Sequence, residues 1–301
     1  MGVKETERLR VAMQKSGRLA DASLELLRHC GLHVSKTKNA LYSRIEELPI
    51  DVLLVRDDNI PSFVSDGVCD LGIVGRNVLE EVMLRSGHDR PSFPVESVLP
   101  LGFSRCRVSI AVPESSGVRS TIELGGARVA TSYPATLGHF LDRNGVSAEI
   151  VEMTGSVELA PRLKIADAIC DVVSTGATLD ANQLVEIATV VESEALLIKR
   201  QNGLSESKFE TAERLIRRVR GVIRSANTKY IMMNAPASAV DAIASVLPGA
   251  DAPTVMPLAG TAEQVAIHAV CEETVFWETM EKLKSVGARA ILVLPIERMM
   301  A

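Results

Sequence analysis

Across the first 225 residues, short apolar runs alternate with segments whose apolar residues recur at helical spacing, and this alternation limits the fold more than any other property of the chain. Residues 9–13, 50–56, 70–74 and 95–99 read as strands, and residues 19–30, 60–66 and 77–85 as helices. The punctuation agrees: Gly31 and Gly67 follow the first two helices, and Pro61 lies in the first turn of the second. A second series continues with strands over 105–112, 128–131, 148–152 and 168–173. Helices are expected over 133–144, 156–163 and 178–185, then strands over 187–191 and 195–199 and a long helix over 207–225. Such alternation predicts mainly parallel, doubly wound sheets. Two series predict two α/β lobes, with the chain crossing between them near residues 100–105 and 180–190 and a cleft between.

The last third changes character. A strand over 229–234, a helix over 237–247 stopped by Pro248 and Gly249, strands over 253–258 and 264–271, a helix over 274–286 and a strand over 290–296 follow in the order β-α-β-β-α-β, that of a ferredoxin-like α+β unit. The expected organisation is therefore lobe I over 1–104 and 188–225, lobe II over 105–187, and a third domain over 226–301.

Composition removes several classes of function. Only 3% of residues are aromatic, so the core is built from aliphatic side chains, which suits α/β layers. The formal net charge of −5 leaves no basic field for nucleic acid. The arginines between 214 and 224 share a helix with apolar positions at Leu215, Ile216 and Val219 and read as its solvated face. Five scattered cysteines, with no C-x-x-C pair, read as buried thiols in a reducing compartment. The first nine residues form no signal peptide, and no apolar run approaches the ~20 residues that span a bilayer, so the expected location is cytoplasmic, with no membrane partner.

The strongest local signal runs from Asp167 to Thr178. An apolar strand ends in Ser174-Thr175-Gly176-Ala177-Thr178, after which a helix is expected. Small residues let main-chain amides turn inward together, hydroxyls add donors, and a helix N-terminus favours an anion. Asp171 stands where it could accept from vicinal ribose hydroxyls, directly or through a magnesium ion. A plain strand–turn–helix junction explains the same residues equally well.

At these residues the chain resembles the phosphoribosyl-pyrophosphate segment of the ATP phosphoribosyltransferase family, with Gly155-Ser156-Val157-Glu158 before it. Residues 9–19, 55–61, 70–75 and 130–134 resemble its other signature regions, and the last third is similar to the regulatory domain of its long form. One position departs: Lys164 stands where the family usually has Gly, and a local backbone adjustment is expected.

The resemblance implies a two-lobed, periplasmic-binding-protein-like catalytic core with a C-terminal ferredoxin-like regulatory domain. It implies joining of adenine N1 of ATP to C1 of 5-phosphoribosyl 1-pyrophosphate (PRPP), with magnesium, release of pyrophosphate and feedback inhibition by histidine. A homo-hexamer in equilibrium with dimers is also implied. Carried over by position, PRPP binds Asp167, Asp171, Ser174, Thr175, Gly176, Ala177 and Thr178, with Asp171 as the metal contact. ATP binds Asp70, Gly75, Thr131 and Tyr133, and the catalytic set is Lys15, Arg18, Arg56 and Glu158. The histidine pocket includes Asn234, Thr254, Leu258 and Ala290. Alone, each cation reads as a solubility residue, Tyr133 as packing and Asp70 as a strand start; the joint resemblance favours the site roles. A two-lobed solute-binding protein is the competing reading, against which the missing signal peptide counts.

Overall fold

The computed structural model describes residues 7–35, 41–87, 93–226, 228–247, 252–261, 263–272, 277–297 and 299. These divide into two compact units, Met1–Ala212 and Glu213–Ala301. The contact boundary falls inside a long helix, which runs unbroken from Glu206 to Ala226.

The first unit holds two sheets. Lobe I contains β1 (Leu9–Gln14), α1 (Arg18–His29), β2 (Tyr42–Ile45), β3 (Ile50–Val55), α2 (Ile60–Ser65), β4 (Leu71–Gly75), α3 (Arg76–Arg85) and β5 (Val95–Pro100). Lobe II contains β6 (Cys106–Pro113), β7 (Arg128–Thr131), α4 (Pro134–Arg143), β8 (Glu149–Glu152), β9 (Ala168–Val173), α5 (Ala177–Ala181) and β10 (Leu184–Ser193). The chain then returns to lobe I with β11 (Ala195–Arg200) and enters α6 (Glu206–Ala226). The sheet orders are β2-β3-β1-β4-β11-β5 and β10-β6-β9-β7-β8.

Neither sheet is mainly parallel. In lobe I, β1, β3 and β4 are parallel, but β2 and β11 pair antiparallel to their neighbours. In lobe II only β7–β8 and β7–β9 are parallel. The cause is the double crossover: β6 enters against the direction of the β7–β9 core, and β10 then returns antiparallel to β6. The second crossover lies at Glu194, between β10 and β11, so residues 188–193 belong to lobe II and not to lobe I. The two crossing segments bond to each other, Leu101 N–H to the Ala195 carbonyl (2.9 Å) and Ala195 N–H to that of Phe103 (3.0 Å).

Two expected helices contract. Over 156–163 only the 3-10 turn Val157–Leu159 forms, because Pro161 has no N–H to extend the ladder. The helix expected over 178–185 stops at Ala181; Gln183 takes a left-handed φ of 54°, and Leu184 and Val185 pair with Pro113 and Val112. Lys164 adopts φ 57°, the conformation glycine takes freely, so the expected adjustment is local strain of about 1 kcal/mol.

The second unit begins within α6 and continues through β12 (Thr228–Pro236), α7 (Val240–Val246), β13 (Thr254–Pro257), β14 (Gln264–Glu272), α8 (Trp277–Ser285) and β15 (Arg289–Pro295). Its antiparallel sheet has the order β13-β14-β12-β15 expected of a ferredoxin-like unit. Alternation fixes its faces: Ile231, Met233 and Ala235 of β12, with Val265, Ile267 and Ala269 of β14, pack with Ile243 of α7 and Leu283 of α8. Residues 248–251 and 274–276, expected as a helix stop and a helix start, lie outside the described residues.

Candidate active site

The parallel strands of lobe I end along one edge, where α/β sites gather. β1 gives way to Lys15 and α1, β3 to Arg56, and β4 to Gly75 and α3. The Lys15 amide donates to the Val55 carbonyl (2.8 Å), which brings Lys15 beside Arg56. Both side chains are exposed, and Arg56 pairs with Asp58 at 3.0 Å. Arg18, in the first turn of α1, reaches across: its Nη1 donates to Ser174 Oγ at 3.2 Å, joining lobe I to the small-residue loop of lobe II.

That loop occupies the turn between β9 and α5. Gly176 has φ 88°, and a Cβ there would meet open space. Among the described residues, no main-chain amide from Ser174 to Thr178 donates to a protein carbonyl. α5 is only five residues long, so the loop offers free amides and hydroxyls but little macrodipole. Asp171, two residues before the end of β9, accepts the Val172 N–H at 2.8 Å. Burial pushes its carboxyl above the ordinary carboxylate range; the Val172 N–H partly offsets this, and the charge of Glu158 adds to it.

Tyr133 closes the lobe II side. Burial raises its phenol well above the ordinary value, Asp171 adds to the rise and so, more weakly, does Asp57 from lobe I, while the hydrogen bond from Asn77 opposes it. Asn77 Nδ2 donates to the Tyr133 hydroxyl at 2.9 Å, and Asn77 Oδ1 accepts from Ser193 Oγ at 2.8 Å. Gly75 keeps this bridge in place, because a Cβ there would lie 2.5 Å from Asn77 Oδ1.

Contacts thus link Lys15 to the strand end before Arg56, Arg18 to the 174–178 loop, and Gly75 through Asn77 to Tyr133, with Asp171 near both Tyr133 and Glu158. Three expected contacts do not join them. Asp70 immediately precedes β4, about 16 Å along the strand from Gly75, and is buried; its carboxylate accepts the Arg10 N–H (2.8 Å) and pairs with Lys208 (3.1 Å). Asp167 immediately precedes β9, about 23 Å along the strand from Ser174. It accepts from Arg128 N (2.9 Å) and Nη2 (3.0 Å), and that guanidinium holds its carboxyl below the ordinary range. Thr131 is fully buried, and its Oγ1 accepts the Tyr133 N–H at 2.9 Å, so it supports Tyr133 and is closed to ligand.

Asn77, Glu81, Ser193 and Asp57 were not legible as site residues; the one available signal was the absence of a capping side chain before α4.

In the second unit, Asn234 lies opposite Ala266 and Thr254 opposite His268, on the sheet face turned away from the helices. Leu258, just past β13, donates its N–H to the Gln264 carbonyl at 3.0 Å. Ala290 has φ 50° beside the register shift between β12 and β15. Tyr230 and His268 share this face, with the hydroxyl 2.5 Å from Nδ1.

Fold and site geometry describe a two-lobed α/β protein whose lobes meet where Arg18 reaches Ser174. Residues 56–221 match the family model described as ATP phosphoribosyltransferase, and residues 226–298 match its HisG C-terminal domain. The chain belongs to the ATP phosphoribosyltransferase family. It is 53% identical to the ATP phosphoribosyltransferase of Maricaulis maris (strain MCS10) over 296 residues, covering 98% of this chain and 100% of that one. Among solved structures, the ATP phosphoribosyl transferase (HisG:HisZ) complex from Thermotoga maritima superposes with a TM-score of 0.58 at 23% identity, covering 70% of this chain and 98% of that one, a likeness of fold. The activity is that of the family: ATP and PRPP combine with loss of pyrophosphate in the first step of histidine biosynthesis, and a divalent metal takes part.

Proposed function

We infer that the two lobes divide the substrates, with PRPP on the 174–178 loop of lobe II and the adenine of ATP beside Tyr133. The observation that carries this reading is the Arg18–Ser174 bond, which brings the cation edge of lobe I to a loop whose amides are undonated. The 5-phosphate takes those amides with the hydroxyls of Ser174, Thr175 and Thr178. Asp171 accepts from the ribose hydroxyls, with Glu158 behind it. Lys15, Arg18 and Arg56 balance the charge of the departing pyrophosphate. Adenine N1 carries a lone pair and no proton, so the reaction needs no general base, and its rate comes from positioning and charge stabilisation.

Magnesium is the metal we assign. Among the described residues no cluster of three or more His, Cys, Asp or Glu is arranged to hold an ion. Asp171, with one oxygen engaged by Val172 and Glu158 nearby, suits an ion held mainly by phosphate oxygens and water. When bound, the ion would neutralise pyrophosphate charge.

Thr178→Leu tests the cradle. Losing a hydroxyl and crowding the amides removes about 1.5–3 kcal/mol of charge-assisted hydrogen bonding, a 10- to 100-fold weaker PRPP affinity by calorimetry with an unchanged melting temperature. Unchanged affinity would remove the loop from the site.

The second unit is assigned as the histidine-binding regulatory domain, with Asn234 and Thr254 pairing the amino and carboxylate groups and Leu258 and Ala290 bordering the pocket. Met256, Leu292 and Leu294 are exposed on its strands, which supports assembly into a homo-hexamer in equilibrium with dimers. A cytoplasmic location suits the substrates. Asn234→Ala is expected to keep basal turnover and raise the histidine concentration for half-inhibition about tenfold, and to abolish any histidine-dependent change in sedimentation. Wild-type inhibition of the variant would place the effector elsewhere.

A further inference from the structure

We propose that α3 of lobe I is a latch that sets the angle between the two lobes, and that Glu81 is the positioning residue through which it holds the Tyr133 side of the cleft. The argument starts from a missing cap. α4 opens on Tyr133 and Pro134, and no side chain of its own caps it. Its first free amides are satisfied from the other lobe: the Glu81 carboxylate accepts from Ala135 N (3.1 Å), Thr136 N (2.8 Å) and Thr136 Oγ1 (2.7 Å). The dipole of a ten-residue helix favours a carboxylate there. Glu81 is 6% exposed and Thr136 3%, so water cannot readily replace these bonds.

Asn77, Glu81 and Arg85 recur every four residues and share one face of α3. Each is bonded into lobe II: Asn77 to the Tyr133 hydroxyl, Glu81 to the start of α4, and Arg85 to Glu152 while also pairing with Glu81 at 2.8 Å. An apolar stripe would tolerate sliding, whereas three directed polar contacts specify one orientation. Asn77 is also tied to Ser193, beside the second crossover. Because Tyr133 immediately precedes the helix that Glu81 caps, rotation at this contact displaces Tyr133 from Asn77 and Gly75. The positioning role rests on the reading of Tyr133 as the adenine-side group.

The test uses the full chain with nitroxide labels on Arg44→Cys and Asp142→Cys, exposed positions of lobes I and II, read by pulsed dipolar spectroscopy beside steady-state kinetics. Wild type and Thr136→Ser should give one narrow distance and equal kinetics. Glu81→Gln, which puts an amide donor where α4 needs an acceptor, should broaden the distribution and lower kcat/KM for ATP by about 10- to 100-fold, with a smaller loss for PRPP. Thr136→Val gives a second reading should Glu81→Gln fail to fold. A wild-type distance distribution in folded Glu81→Gln or Thr136→Val overturns the latch. A broadened distribution with unchanged ATP kinetics, where Tyr133→Ala does impair ATP use, overturns the positioning role. If Tyr133→Ala also leaves ATP kinetics unchanged, the adenine-side reading fails and the latch stands.

Discussion

Gly72→Val is expected to destabilise the Met1–Ala212 unit by about 3 kcal/mol, at the upper end of ordinary overpacking. Gly72 is central in lobe I, between Ala12 of β1 and Ile198 of β11, with α2 lying across it. A Cβ there would sit 2.6 Å from Ile60 Cγ2 and 3.1 Å from both Val64 Cγ2 and Ile198 Cγ1. All three side chains are fully buried, so none can swing into solvent. Relief requires α2 to lift from the sheet, which opens a void over Ala12 and Val74. For a unit of this size the change corresponds to a melting temperature lower by about 6–12 °C, with Gly72→Ala showing about half the effect. A variant that melts with the wild type would mean that α2 is free to move outward without cost.

Asp171→Asn is expected to raise stability and lower activity about 10- to 100-fold, the opposite of what a structural carboxylate would do. Burial raises the folded-state carboxyl above its ordinary value. Folded protein therefore binds that proton more tightly than unfolded protein, and the group penalises folding once it is charged. The penalty is absent below the ordinary range near pH 4, grows as pH rises through the raised value, and is complete above it. Asn carries no charge and can still accept the Val172 N–H, so the variant should melt higher than wild type at neutral pH and together with it at low pH. Losing charge-assisted bonds to the ribose costs about 1.5–3 kcal/mol, a 10- to 100-fold fall in kcat/KM for PRPP. Melts at two pH values with steady-state rates decide it: a less stable variant with full activity would assign Asp171 to the scaffold.

These two residues illustrate how the lobes divide their work. Around Gly72 the packing tolerates almost no change, while the cleft side carries groups that cost stability, the half-buried Asp171 among them and the undonated amides of 174–178 beside it. Such departures from local satisfaction are what the proposed PRPP site requires.

Much of this was legible in one dimension. Period-two and period-3.6 patterning, with glycine and proline stops, located nearly every strand and helix core, because those signals are local and burial enforces them. The ferredoxin-like order of the last third followed from element order alone, and so did the small-residue turn after β9. The edge strand Tyr42–Ile45 escaped because its four residues alternate weakly, and the helix after Gly176 was overestimated because pairing of Leu184 and Val185 with β6 outweighed their helical spacing. Strand direction was beyond reach, since it depends on where the chain crosses between lobes. For the same reason Asp70 and Asp167 resembled substrate ligands: in sequence each lies close to a site loop, whereas in space each stands at the opposite end of its strand, held by Lys208 and Arg128. Sequence determined which segments are strands, helices and turns, and which turn offers its amides. Only tertiary structure decided which strand ends meet across the cleft and that Glu81 of one lobe caps a helix of the other, because those contacts join residues more than fifty positions apart.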